Sequence, residues 1–186
     1  MIHRINSSVG RRLVIGVALL SFTVALGAQT PTWQTYSYPA DGFSASFPSE
    51  PDLQKKNVPT DRGNFELRSY IGTDGEVAMF VGVCDYGSQT AGKNPDDLLQ
   101  GAKNGALQNS SSHLLSETKT TLGVYPGLTF ESESDQTQKE RAHFSAHIYI
   151  VGSTLYQVLV VTPLGKPYAN TARFLDSFQL IPRVAK

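Results

Sequence analysis

Two stretches, Val77 to Tyr86 and Leu155 to Val161, are apolar or small at nearly every position, and nothing else in the chain restricts its fold as strongly. In the first, Val77, Met79, Val81 and Val83 form one alternate set, and Ala78, Phe80, Gly82 and Cys84 form the other. Because side chains on a strand alternate between faces, both sets need cover, and such strands belong in the middle of a sheet with layers on both sides. Phe80 and Val160, one from each run, are expected deep in the core.

Other segments alternate cleanly and predict half-buried strands. Phe43, Ala45 and Phe47 alternate with Ser44 and Ser46; Phe65, Leu67, Ser69 and Ile71 with Glu66, Arg68 and Tyr70. In Arg141 to Val151, Phe144, Ala146, Ile148 and Ile150 face one way, and His143, Ser145, His147 and Tyr149 the other. Leu114–Leu122 and Gly127–Ser134 predict two more strands. Asp52–Val58, set among Pro48, Pro51 and Pro59, can be only an edge strand or a loop. Asp74-Gly75 and Gly152-Ser153 supply hairpin turns. Residues 29–40 are expected to be an extended leading segment.

Asn94-Pro95-Asp96-Asp97 reads as an N-cap, a proline at the first helical position and acids in the first turn, which predicts a helix over 95–109. Gly101 and Gly105 weaken it, so it must dock on the sheet. A short amphipathic helix is expected over 168–178, with Leu180-Ile181 extended after it. Together these elements predict an α+β fold, an antiparallel sheet of about six to eight strands flanked by helices.

At the N-terminus, Arg4, Arg11 and Arg12 precede an uncharged, mostly apolar run of 14 residues, Leu13–Leu26. This is the pattern of a secretory signal peptide, with Ala25 and Gly27 suiting a cut before Ala28. As a helix the run covers about 21 Å, short of the roughly 30 Å hydrocarbon core; an uncleaved anchor is the alternative. The expected organisation is a signal peptide over 1–28 and one domain over 29–186, periplasmic or secreted, with no membrane span after cleavage. Cleavage removes three of the 16 basic residues and none of the 16 acids, leaving a net charge near −3. With 17% charged residues and no basic excess, a nucleic-acid partner is not expected.

Cys84 is the single cysteine, so a disulfide within the chain and a multi-thiolate zinc site are excluded. A nucleophilic role would need a histidine beside it; Asp85 would raise the thiol pKa, and a buried core residue is the expected reading. His143 and His147 are the weak metal candidates. On a helix their spacing would bring both imidazoles to one ion, but on a strand they stand about 13 Å apart. Glu131, Glu133 and Asp135 share a strand face, as a solvated face, a carboxylate pair or a weak calcium edge. No nucleophile elbow, glycine-rich phosphate loop or His-Glu-x-x-His motif is present in the sequence.

The opening Tyr38-Pro39-Ala40-Asp41-Gly42-Phe43-Ser44-Ala45-Ser46-Phe47-Pro48 resembles that of PsbP-like and Mog1-like domains. The ending Ala172-Arg173-Phe174-Leu175-Asp176-Ser177-Phe178-Gln179-Leu180 resembles the close of uncharacterised exported bacterial domains of that type. The resemblance implies an α/β/α sandwich, usually non-enzymatic, acting as an accessory or assembly factor. The photosystem and small-GTPase partners of known members do not carry over, because no residue matches their contact motifs. The expected function is therefore a binding or assembly-accessory module of the cell envelope with a protein partner, no cofactor and no catalytic residue. The alternative is a metal-dependent envelope hydrolase using His143 and His147. A pocket where these histidines and acids converge would favour the enzyme; a groove lined by exposed aromatics would favour the binding module.

Overall fold

The computed structural model describes residues 32–60, 63–135 and 140–184; the expected signal peptide lies outside them. Ten strands and two helices follow in the order β1 (Gln34–Tyr38), β2 (Phe43–Phe47), β3 (Asp52–Thr60), β4 (Gly63–Asp74), β5 (Val77–Asp85), α1 (Pro95–Asn109), β6 (Ser112–Leu122), β7 (Tyr125–Ser134), β8 (Ala142–Val151), β9 (Thr154–Pro163), α2 (Thr171–Asp176) and β10 (Gln179–Leu180). Seven strands form one antiparallel sheet in the order β3-β4-β5-β9-β8-β7-β6. The two doubly apolar runs, β5 and β9, are neighbours inside it, and the stretch from Asp52 is an edge strand.

The strand of Phe43–Phe47 does not join this sheet. It is the middle of a separate three-stranded sheet, β1-β2-β10, so the leading segment contains a true strand, β1. One face of the large sheet, carrying Val81 and Val83 of β5 and Tyr156, Val158 and Val160 of β9, packs against Phe43 and Phe47 of β2, Phe174 of α2 and Phe178. Phe43 stacks on Phe178 at 5.7 Å and Phe47 meets Phe174 edge-on at 5.0 Å. Each of these fully buried rings contributes about 1.5–3 kcal/mol through burial. Gly72 lets Phe47 in, since a Cβ there would lie 2.7 Å from the ring.

A buried polar network joins the two sheets. The Asp41 carboxylate, in the turn between β1 and β2, accepts from Arg68 Nε at 2.8 Å and from the Tyr70 hydroxyl, both on β4. The Tyr156 hydroxyl donates to the Asp41 backbone oxygen at 2.7 Å. These bonds satisfy groups that burial would otherwise penalise.

On the opposite face lies α1, capped by the Asn94 side chain accepting from Asp96 N at 3.0 Å, and starting and ending where the sequence predicts. Leu99 is its buried apolar anchor, and the buried Lys103 forms an ion pair with Glu117 of β6. A second pair, Lys119 to Asp96, spans 2.5 Å. These anchors hold α1 over β6, β7 and β8, to one side of the sheet's midline. The face of β5 and β9 beside it is only partly covered, which corrects the expectation of full cover on both sides. Phe80 is half-buried, folded along its own strand so that its ring occupies the space a Cβ at Gly82 would need, 2.6 Å away.

Helix α2 is shorter than the expected 168–178. The Tyr168 hydroxyl is tied to Asp74 at 2.6 Å and its carbonyl accepts a turn bond from Thr171, while Ser177 Oγ donates back to Phe174 O and accepts from Ser46 N. Both ends are thereby fixed to strands, and only Thr171–Asp176 remains helical.

Candidate functional site

His143 and His147 stand on the same face of β8, as the alternation predicts. Pairing of β7 with β8 sets Glu133 opposite His143 and Glu131 opposite Ser145. The His143 ring is consequently bracketed: Nε2 lies 2.8 Å from Glu131 Oε2, and Nδ1 lies 3.4 Å from Glu133 Oε1. Ser145 Oγ donates to the same Glu131 oxygen at 2.7 Å. The carboxylates meet opposite edges of the imidazole, so the three groups point at one another and not at a shared vacant point. His147 instead has Nδ1 3.3 Å from the Tyr149 hydroxyl. Burial pushes its pKa below the ordinary 6.5, against the opposing pull of Asp176 and Glu131, which keeps the ring neutral. Asp135 lies just past the end of β7 and pairs with His113 at 3.3 Å, so it does not complete a row of acids. Among the described residues, no three His, Cys, Asp or Glu side chains are grouped to hold a metal ion.

Cys84 is buried, with its thiol pKa pushed up mainly by that burial and further by Asp85, against Arg68 and Tyr86. It belongs to the α1 side of the sheet, whereas both histidines stand on the other side. The sheet itself separates the thiol from these two imidazoles, so Cys84 pairs with neither His143 nor His147.

The offset of α1 leaves a groove of about 530 Å³ between the helix and the sheet. Phe65 and Leu67 of β4, Cys84 of β5, and Leu155 and Gln157 of β9 form its floor. Leu98, Gly101, Ala102, Gly105, Ala106 and Asn109 form the helix wall, a single face at spacings of three and four. Tyr86, Gln89, Thr90 and Lys93, in the segment leading into α1, close one end. The Tyr86 ring meets Phe65 edge-on at 4.9 Å. At Gly101 and Gly105 there is open space: beyond the chain neighbours and the helix's own backbone, no atom lies within 4 Å of where a Cβ would stand. The volume falls in the ordinary range for a ligand pocket, with an apolar floor and polar groups at the rim. The sequence reading treats the two glycines only as weak points of a helix; their one-sided spacing with Ala102 and Ala106 was the available signal for a shallow wall.

No family model matches the chain, and no curated protein matches it in sequence. Solved structures do match. The solution structure of cyanobacterial PsbP (CyanoP) from Synechocystis sp. PCC 6803 aligns with a TM-score of 0.52 at 13% identity, over 83% of this chain and 95% of that one. The chain has a PsbP-like fold. The crystal structure of LpqN, involved in cell envelope biogenesis of Mycobacterium tuberculosis, aligns at 12% identity and a TM-score of 0.43, over 81% and 91% of the two chains. The two segments that carry the resemblance in sequence meet in space: β10 pairs with β2 through Gln179–Ser44 and Leu180–Phe43. They lie in the small sheet and the helix beside it and form no part of the groove. Among the described residues, no helix is long and apolar enough to cross a membrane.

Proposed function

We propose that this protein is a non-enzymatic binding module of the cell envelope, exported by a signal peptide over residues 1–28 and working as one α/β/α sandwich domain from residue 29. Its site is the groove between α1 and the sheet, which seats an apolar segment of a protein partner. The groove carries this reading: a mostly apolar floor, a helix wall made shallow by Gly101, Ala102, Gly105 and Ala106, and polar groups at the rim. The histidines and acids stand on the far side of the sheet and converge on no common point, so a hydrolase reading finds no support in them.

Gly101→Leu and Gly105→Leu test the site, because both positions have room for a Cβ and each gains most of the about 0.8–1 kcal/mol of helix propensity that separates glycine from alanine. The partner is identified by cross-linking in intact cells, and its affinity for wild type and variants is then measured with purified proteins. At least tenfold weaker binding at an unchanged or raised melting temperature is expected; equal binding overturns the groove as the site. Export has its own check, since mass spectrometry of the protein from producing cells should find an N-terminus at Ala28 or Gln29. An intact Met1 on a membrane-bound species would refute cleavage.

A further inference from the structure

The two edges of the seven-stranded sheet are unlike. On β3, Lys55 and Lys56 occupy the middle of the strand and Pro59 has no N–H to donate, features that keep an edge from pairing with another chain. On β6 an 11-residue strand without proline is exposed along most of its length, and no described strand pairs with its outer side. Leu115, 48% exposed, lies on this edge, and Val124, 89% exposed, in the turn that follows it. Its one irregularity lies toward the start, between Leu114 and Ser116, and its one lysine, Lys119, is matched by a nearby Glu117, so the stretch from Ser116 on can still serve as a template for another strand.

We propose that β6 pairs antiparallel with β6 of a second copy of this chain, about a two-fold axis at Thr118, joining the two large sheets into one. Such an axis stands perpendicular to the sheet and preserves its faces, so it must fall on a residue and not between two. At Thr118 it sets Glu117 of each chain opposite Lys119 of the other, and Ser116 opposite Thr120. One residue either way, Glu117 would face Glu117 or Lys119 would face Lys119, and like charges directly opposed are destabilising. Within each chain both side chains are already backed by α1, through Lys103 on Glu117 and Asp96 on Lys119. Across the seam the order is therefore Asp96, Lys119, then Glu117 and Lys103 of the second copy, alternating in sign and repeated by the symmetry. The irregularity between Leu114 and Ser116 ends the regular pairing, so each chain contributes Ser116–Thr120. This pairing is independent of the groove.

The protein as isolated from producing cells should sediment as a concentration-dependent dimer. Thr118→Cys places two thiols directly opposite, with Cα atoms about 4.5–5.5 Å apart, within disulfide range, and mild oxidation should link them. Thr120→Cys sets its two thiols about 13 Å apart along the seam and should not link. Lys119→Glu opposes two carboxylates on each side and should weaken the dimer about tenfold or more, whereas Asp96→Asn, which loses the same pair to α1 but keeps Lys119 opposite Glu117, should weaken it far less. Three results would each overturn the pairing: a monomer at every concentration, equal cross-linking of the two cysteine variants, or a dimer indifferent to Lys119→Glu. A monomer whose β6 edge takes up strands of other proteins would likewise replace self-pairing.

Discussion

Replacing Asp41 by alanine removes the acceptor at the centre of the bonds that hold the small sheet on the large one. Its side chain is 8% exposed and that of Arg68 is 19% exposed, so the pair is largely withdrawn from water. Breaking a fully buried ion pair costs about 3–5 kcal/mol. Arg68 keeps Glu66 at 3.2 Å, on a carboxylate that is 45% exposed, which brings its share toward the lower end. The Tyr70 hydroxyl, on a buried ring, is left without an acceptor at a further cost of about 1–3 kcal/mol. Asp41→Ala should therefore destabilise by about 4 kcal/mol, a large part of the roughly 5–15 kcal/mol of a typical domain. Asp41→Asn, which keeps an acceptor for Tyr70 but loses the charge, should fall between. Urea unfolding is followed by the fluorescence of Trp33, the only tryptophan, which packs against the small-sheet core, and by circular dichroism for the large sheet. Tyr70→Phe completes a double-mutant cycle, in which a coupling of about 1–2 kcal/mol is expected between residues sharing a bond. A loss below about 1 kcal/mol for Asp41→Ala, or strict additivity with Tyr70→Phe, would refute the network as the joint between the layers.

Acid should weaken the fold through His147: its folded pKa lies below the ordinary 6.5, so the unfolded chain binds the proton first, and its contribution is complete above pH 6.5 and lost as pH falls below that value. Urea midpoints at pH 7 and pH 5.5 should differ less in His147→Asn than in wild type. Gly72→Ala drives a methyl to within 2.7 Å of the Phe47 ring and should cost about 1–3 kcal/mol by overpacking, measured as a lower urea midpoint at unchanged m. Phe65→Ala should cost about 3–5 kcal/mol, because that ring is buried against Tyr86, whereas half-buried Phe80 should cost less; the reverse order would contradict the placement of α1.

What the sequence disclosed was carried by local chemistry. Asn94-Pro95 marks the start of α1, Asp74-Gly75 turns β4 into β5, and the alternation of residues 142–151 puts both histidines on one face, all signals that span a few residues. Most of what it withheld depends on contacts far apart in the chain. The alternation of Phe43–Phe47 does not say which sheet it joins, because Leu180 pairs with Phe43 from the far end of the domain; β1 is a local partner across the turn at Asp41-Gly42. The bracketing of His143 by Glu131 and Glu133 depends on the register of β7 on β8, which the expected strand boundaries leave open. The position of α1 is set by Lys103–Glu117 and Asp96–Lys119, which an apolar pattern does not record.

That last point explains why the groove exists. An apolar pattern on both faces of β5 and β9 asks for cover on both sides, and a helix centred over these strands would supply it. The charged pairs hold α1 over β6–β8 instead, so the helix closes only part of the floor, where Cys84 and Leu155 are buried and Leu67 is half-buried. Gly101 and Gly105 then widen the gap. At both positions a Cβ would meet nothing within 4 Å beyond its chain neighbours and the helix's own backbone, so packing does not demand glycine there, and each glycine costs the helix about 0.8–1 kcal/mol relative to alanine. A helix that forgoes propensity where a larger residue has room, beside an apolar floor it covers only in part, supports the proposed reading of the groove as a seat for a partner segment.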